Sequence, residues 1–177
     1  DGWAEPYGVV RISTLREKIT RDLPGSVYII HDSLQQAEHS LEAIVPFLQY
    51  YNRNIEIVPI LVPYMSFDRM NGIAGSLARA LVKIMQDNDL KWSKDIAIVI
   101  STDAVHYGCE DWGGSDYAFY GCDSAGYKKA VEHEYEIINN CLTGELKKVR
   151  IMKFKEYTVQ DTNYHTYKWT WCGRYSV

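Results

Sequence analysis

Asp95-Ile96-Ala97-Ile98-Val99-Ile100-Ser101-Thr102-Asp103-Ala104-Val105-His106-Tyr107-Gly108 decides how the rest of the chain is read. Ile96 to Ile100 is solidly apolar and rich in β-branched residues, and it stops abruptly at Ser101-Thr102-Asp103. Such runs, bounded by polar residues, predict strands buried on both faces in a parallel sheet covered by helices. In these sheets ligands collect beyond the carboxyl ends of the strands. Asp103 and His106 fall at that position and are therefore candidates for chemistry. The alternative is local: Asp103 caps the turn that follows, and His106 packs beside it.

The apolar segments on either side extend the same pattern. Val9 to Ile12 predicts a short strand, with Ser13 or Thr14 capping a brief helix toward Thr20. Pro24-Gly25 marks a turn, and Val27 to Ile30 predicts another strand. Ser33-Leu34-Gln35-Gln36 has the form of a capping box. It is followed by Leu34, Ala37, Leu41, Ile44, Val45 and Leu48 at helical spacing, with a kink expected at Pro46. Glu38, Glu42 and Gln49 flank that apolar face. His39 falls on the opposite side with Ala43 and Phe47, which predicts a helix between two layers and a His39 that looks into a second interior surface. Ile55 to Val62 predicts a strand interrupted by Pro59, hence an edge or a bulge. A helix is predicted from Ser66 or Asp68 to Met85, ended by Asp87-Asn88-Asp89. Strand, helix, strand, helix, strand over 27–101 is the βαβ order of a layered α/β domain.

Beyond His106, Gly108 to Gly126 predicts a loop long enough to carry function. Asp123 or Ser124 caps a helix through about Asn140. Residues 145–161 fit helix or strand. Tyr164 to Val177 alternates aromatic and polar residues, so Trp169 and Trp171 wall a pocket or line an aromatic edge strand.

The whole-chain totals narrow the function. The 177 residues suit one domain, and a domain of this size buries roughly 70% of its unfolded surface. The net charge of −4, without a basic block, argues against nucleic acid or an anionic membrane as partner. No apolar run is long enough to span a bilayer. Cys109, Cys122, Cys141 and Cys172 include no C-x-x-C pair, which disfavours a zinc knuckle or a thioredoxin-type pair. Free thiols in a reduced, cytoplasmic compartment are the expectation, with Cys109, Cys122 and Cys141 structural. The chain opens on Asp1-Gly2-Trp3 without a Met. His31, His133 and His165 have no sequence companion that argues for a role.

Glu38-His39-Ser40-Leu41-Glu42 followed by Val45-Pro46-Phe47-Leu48, then Ser101-Thr102-Asp103-Ala104-Val105-His106-Tyr107-Gly108, then Cys172-Gly173-Arg174, form an ordered set. Together with Ile57 to Val62 and Trp3 to Gly8, this set resembles the Memo family, whose microbial members are known as the B component of the AmmeMemoRadiSam system. The resemblance spans nearly the whole chain. It implies an α/β fold of layered sheet and flanking helices like that of the class III extradiol dioxygenases, here as a single Memo-like domain over 1–177. It implies a metal-binding pocket with Cys172 as metal ligand, and Asp103, His106 and His39 facing it in catalytic roles, with iron or copper as the metal. The family's N-terminal His-Ala-Gly-Tyr-type segment, with its metal histidines, and its C-terminal end have no counterpart here, so two expected His ligands are lacking and the chain reads as the middle and later portion of a longer protein.

Three functions follow. The first is a metal-dependent oxidoreductase, in which the near-neutral imidazole of His106 serves as acid or base. The second is a non-catalytic binding or adaptor protein whose pocket takes a small molecule or peptide, with association to a radical-SAM system implied by the resemblance. The third is a Cys172-His106-Asp103 thiol enzyme.

Overall fold

The computed structural model describes residues 2–110 and 117–177. Six α-helices and a small three-stranded sheet make a mixed α/β protein among those residues. The chain divides into two compact units, one formed by Asp1–Val62 and Asp68–Ser101, the other by Pro63–Phe67 and Thr102–Val177.

In the first unit, β1 (Gly2–Glu5) and β2 (Gly8–Ile12) form an antiparallel hairpin, and β3 (Glu56–Ile57) pairs parallel to β2. Gly8 turns the hairpin at φ 106°, a conformation that side chains disfavour. Helix α1 (Leu15–Asp22) follows the predicted position. The helix predicted from Ser33 through Leu48 is instead two: α2 (Asp32–Ala37) and α3 (Val45–Tyr51). Two local effects divide it. The Glu38 carboxylate accepts hydrogen bonds from the backbone N–H of His39 (2.9 Å) and of Ser40 (3.0 Å), an alternative to helical pairing. Pro46 lies in the first turn of α3, where its missing N–H is harmless, rather than in a kinked interior. The cap of α2 is His31, not Ser33: its Nδ1 accepts from Leu34 N–H at 3.1 Å.

The long helix α4 (Phe67–Asp87) matches its prediction closely. Asp89 adopts φ 49° just past its end, and Leu90 N–H bonds to the Met85 carbonyl at 2.9 Å, so the last turn is closed by a left-handed residue. The parallel-sheet expectation is not met. Val27 to Ile30 and Ile96 to Ile100 lie in no named strand, and Ile98 is 63% exposed. The run at 96–100 shows one isolated bridge, Trp92 to Ile96. An apolar run states a demand for cover, but a strand also needs neighbours to satisfy its backbone groups, and the described residues provide only the bridge at Ile96.

In the second unit, Asp123 caps α5 (Ser124–Ile137), its carboxylate accepting from Gly126 N–H at 2.7 Å. A π-turn, Ile138–Leu142, continues it. The ambiguous stretch after residue 145 is helix α6 (Lys148–Thr158). Ala130, Ile137, Cys141, Phe154, Trp169 and Trp171 form the buried cluster between these elements. Trp169 and Trp171 are thus core, not an exposed aromatic edge, and Cys141 is structural as expected.

The free-thiol expectation fails at one pair. Cys109 and Cys122 form a disulfide, their Cα atoms 5.9 Å apart, within bridging range. Spacing alone does not reveal such pairs. The disulfide runs against the expected reduced, cytoplasmic compartment, since stable disulfides are uncommon there. Part of the predicted loop, residues 111–116, lies outside the described residues. Among those described, no helix is long and apolar enough to cross a membrane.

Thiol titration of the unreduced, denatured chain should find two reactive thiols, Cys141 and Cys172, rising to four after reduction. With Cys109→Ser plus Cys122→Ser, loss of the loop constraint should lower stability in urea unfolding by about 3 kcal/mol.

Candidate functional site

Residues 102–106 run antiparallel to residues 170–173, and this pairing builds the site. Val105 and Trp171 form a bridge. His106 N–H bonds to the Thr170 carbonyl at 2.9 Å, Cys172 N–H to Ala104 O at 3.3 Å, and Gly173 N–H to Asp103 O at 3.0 Å. The Thr170 hydroxyl returns a bond to the His106 carbonyl, and the Thr102 hydroxyl bonds to Gly173 O at 2.9 Å. Gly173 is required by crowding: a Cβ there would lie 2.8 Å from Thr102 Cβ and 3.0 Å from Thr102 Cα.

The consequence is a cluster of three ligand types. One donor atom each from Asp103, His106 and Cys172 lies within 4.8 Å of the others. His106 Nε2 is 3.3 Å from Asp103 Oδ2, with the imidazole 21% and the carboxylate 61% exposed. In a regular strand, residues three apart face opposite sides. Their contact therefore requires the chain to leave strand geometry between them, and only Val105 registers as paired. The next residue is pinned in turn. The Tyr107 hydroxyl donates to Gly121 O at 2.9 Å and accepts from Tyr120 N–H at 2.9 Å.

Sequence reasoning missed the surroundings of Cys172. Burial first, and then the neighbouring Cys172, raise the Tyr167 phenol above the ordinary range, while Arg174 pulls the other way. Arg174 is buried, its guanidinium 4.1 Å from the Tyr167 ring centroid and 4.8 Å from that of Tyr175. Its Nη2 donates to His165 O at 3.1 Å, while Nε is buried without a partner. The sequence signals for this layer were the alternation of aromatic and polar residues over 164–177 and the Cys172-Gly173-Arg174 motif.

His39 lies in the first unit, its side chain 82% exposed and 3.3 Å from Glu38 Oε1. The expectation that it looks into an interior surface is overturned. The break between α2 and α3, set by Glu38, turns it to solvent.

The Memo family, described as Memo-like protein, matches residues 1–177. The chain belongs to the Memo family. Among curated relatives, a MEMO1 family protein of Methanothermobacter thermautotrophicus is 31% identical over 110 residues, covering 62% of this chain and 36% of that protein. A MEMO1 family protein of Aquifex aeolicus is 37% identical over 110 residues, covering 60% and 36%. One from Saccharolobus islandicus is 34% identical over 108 residues, covering 59% and 34%. The chain thus spans about a third of the length of the curated relatives it matches. No solved structure matches it. For this Memo family chain, the ordered motifs at 101–108 and 172–174 are the two segments that the antiparallel pairing joins.

Gly173→Ala should force the two segments apart and cost about 1–3 kcal/mol in urea unfolding. Adding Thr102→Gly, which removes the nearest obstructing atoms, should recover part of that loss.

Proposed function

We propose that Asp103, His106 and Cys172 hold a transition metal ion and that this Memo family chain carries a redox site, as a metal-dependent oxidoreductase. The observation that carries the reading is the convergence of a carboxylate, an imidazole and a thiol within 4.8 Å. First-row metals bind such donors at about 2.0–2.3 Å. Donors sharing one tetrahedral ion lie about 3.3–3.5 Å apart, so the widest-spaced of these side chains closes on a metal with a shift of up to roughly 1.5 Å. A mixed N, O and S set suits iron, copper or zinc, the thiolate favouring the softer ions. When bound, iron or copper supplies reversible one-electron chemistry. The chain's own residues do the rest. Asp103 orients the imidazole, His106 holds a proton at the ring nitrogen that the metal would leave free, and Tyr167 and Arg174 fix the sulfur's surroundings.

The dioxygenase-like layering, a single domain over 1–177, and partnership with a radical-SAM protein rest on family resemblance and belong to this proposal. His39 enters it through the Glu38-His39-Ser40 motif alone. A second reading is favoured by the exposure of Asp103 and Cys172. An open site suits binding of a peptide or small molecule without turnover. A metal-free Cys172-His106-Asp103 thiol enzyme is the third use of the same geometry, and alkylation of Cys172 against pH separates it from the other two.

Equilibrium dialysis against Cu(I), Fe(II) and Zn(II), followed by metal analysis, tests the reading. The expected result is one ion per chain, weakened 10- to 100-fold or more by Cys172→Ser or His106→Ala. The His39→Ala arm decides whether that residue contributes. Absence of stoichiometric binding, or binding unaffected by Cys172→Ser, overturns the metal reading.

A further inference from the structure

His133, which has no companion in the sequence, is central to a second constellation in the same unit. Its ring lies 4.7 Å from Trp169, edge-on, and 5.7 Å from Tyr157, also edge-on. Trp169 is 6.0 Å from Tyr107, the neighbour of His106 along the chain. Four rings, Tyr107, Trp169, His133 and Tyr157, are therefore in sequence with no centroid step above 6.0 Å.

The two oxidisable rings beyond Tyr107 each carry a proton acceptor. Trp169 is buried, and its indole N–H donates to Glu134 Oε2 at 2.9 Å. Tyr157 donates its phenolic O–H to Glu136 Oε1 at 2.7 Å and accepts from Asn140 Nδ2 at 3.3 Å. His133 Nδ1 stands 3.8 Å from the other Glu136 oxygen. Helix α5 therefore supplies both carboxylates and the bridging imidazole. An aromatic core packed for volume needs edge-to-face contacts. It does not need an ionisable acceptor on each N–H and O–H. Burial raises the pKa of Glu134, and the Trp169 hydrogen bond and His133 lower it.

We infer that Trp169 and Tyr157, with Glu134 and Glu136, form a redox-active relay that accepts an oxidising equivalent and holds it as a neutral tyrosyl radical on Tyr157. The co-reactant is a high-potential one-electron oxidant. Trp169 gives it one electron and becomes an indole radical cation, its N–H shared with Glu134. Tyr157 then gives one electron to Trp169 and its phenolic proton to Glu136. The end state is a restored indole, a neutral phenoxyl, a neutral Glu136 carboxylic acid and an oxidant reduced by one electron. The charge-assisted hydrogen bond at 2.7 Å makes the proton's path short. This inference does not require a metal at Cys172, so its failure and that of the metal reading are separable.

The test attaches a ruthenium polypyridyl photo-oxidant to Cys172, the exposed free cysteine, in the otherwise complete chain. A Tyr167→Phe background removes the phenol beside the label. After a flash with a sacrificial electron acceptor and rapid freezing, electron paramagnetic resonance should show a tyrosyl radical. Tyr157→Phe should lower its yield severalfold and leave a tryptophan signal, and Trp169→Phe should lower it similarly. Glu136→Gln keeps size and shape while removing the proton acceptor. It should also lower the yield severalfold with an unchanged near-ultraviolet circular dichroism spectrum. If Trp169→Phe fails to fold, Glu136→Gln decides. A tyrosyl yield unaffected by Tyr157→Phe or by Glu136→Gln overturns the inference.

Discussion

Backbone pairing of residues 102–106 with 170–173 is the constraint on which the second unit depends. It joins two segments that lie far apart in sequence, and it does so with the core on one side and the Asp103, His106 and Cys172 cluster on the other. Trp169 and Trp171 enter the buried cluster, where Val105 and Tyr107 pack against them. The residues between and beyond, Thr170 and Cys172, serve the other side: one bonds to the His106 carbonyl, the other joins the imidazole and carboxylate. Period-two alternation thus converts core packing into site geometry. A side chain on an extended segment is placed only as well as its neighbours are held, and two buried tryptophans hold this one firmly.

What could be read from the sequence followed from locality. Helices α4 and α5 were legible because caps, spacing and stop signals all lie inside the segment. Asp123 bonding Gly126 and Asp89 closing α4 are decided within a few residues. Ile96 to Ile100 was legible as apolar but not as structure. Whether such a run becomes a strand depends on neighbours elsewhere in the chain, and the described residues leave Ile98, Val99 and Ile100 exposed. His39 failed for the opposite reason. Its helical periodicity was sound, but the Glu38 carboxylate, competing for two backbone N–H groups, ended the helix before it.

The site divided along the same line. Asp103 and His106 stood out because a polar break after an apolar run is a local pattern. Cys172 was linked to them only through the family's motif order, because no spacing rule joins segments so distant. Tyr167 and His133 carry no motif at all, and Arg174 entered only as the last residue of the Cys172-Gly173-Arg174 motif. Their roles arise from contacts made after folding: a guanidinium over a phenol, an imidazole edge-on to an indole. The Cys109 to Cys122 disulfide belongs with them, since the decisive quantity is a Cα separation of 5.9 Å.

The contrast between the two units bears on why the candidate residues concentrate in one of them. In the second, helices α5 and α6 and the 169–171 segment enclose a buried cluster, in which the Trp169 indole bonds to Glu134, while the Tyr157–Glu136 bond lies at its exposed edge. Enclosure lowers the local dielectric around Trp169, so its bond to Glu134 is strengthened. In the first, Ile29, Ile30, Ile60 and Ile98 remain more than half exposed, and a polar group among them competes with water. His39 shows the result, with its imidazole turned to solvent beside Glu38. A ligand set, or a relay for electrons and protons, needs side chains that keep their positions as charge moves. Around Trp169 burial supplies that constraint, and at the exposed Cys172 the backbone bonds from its own N–H to Ala104 O and from Gly173 N–H to Asp103 O are what hold the segment.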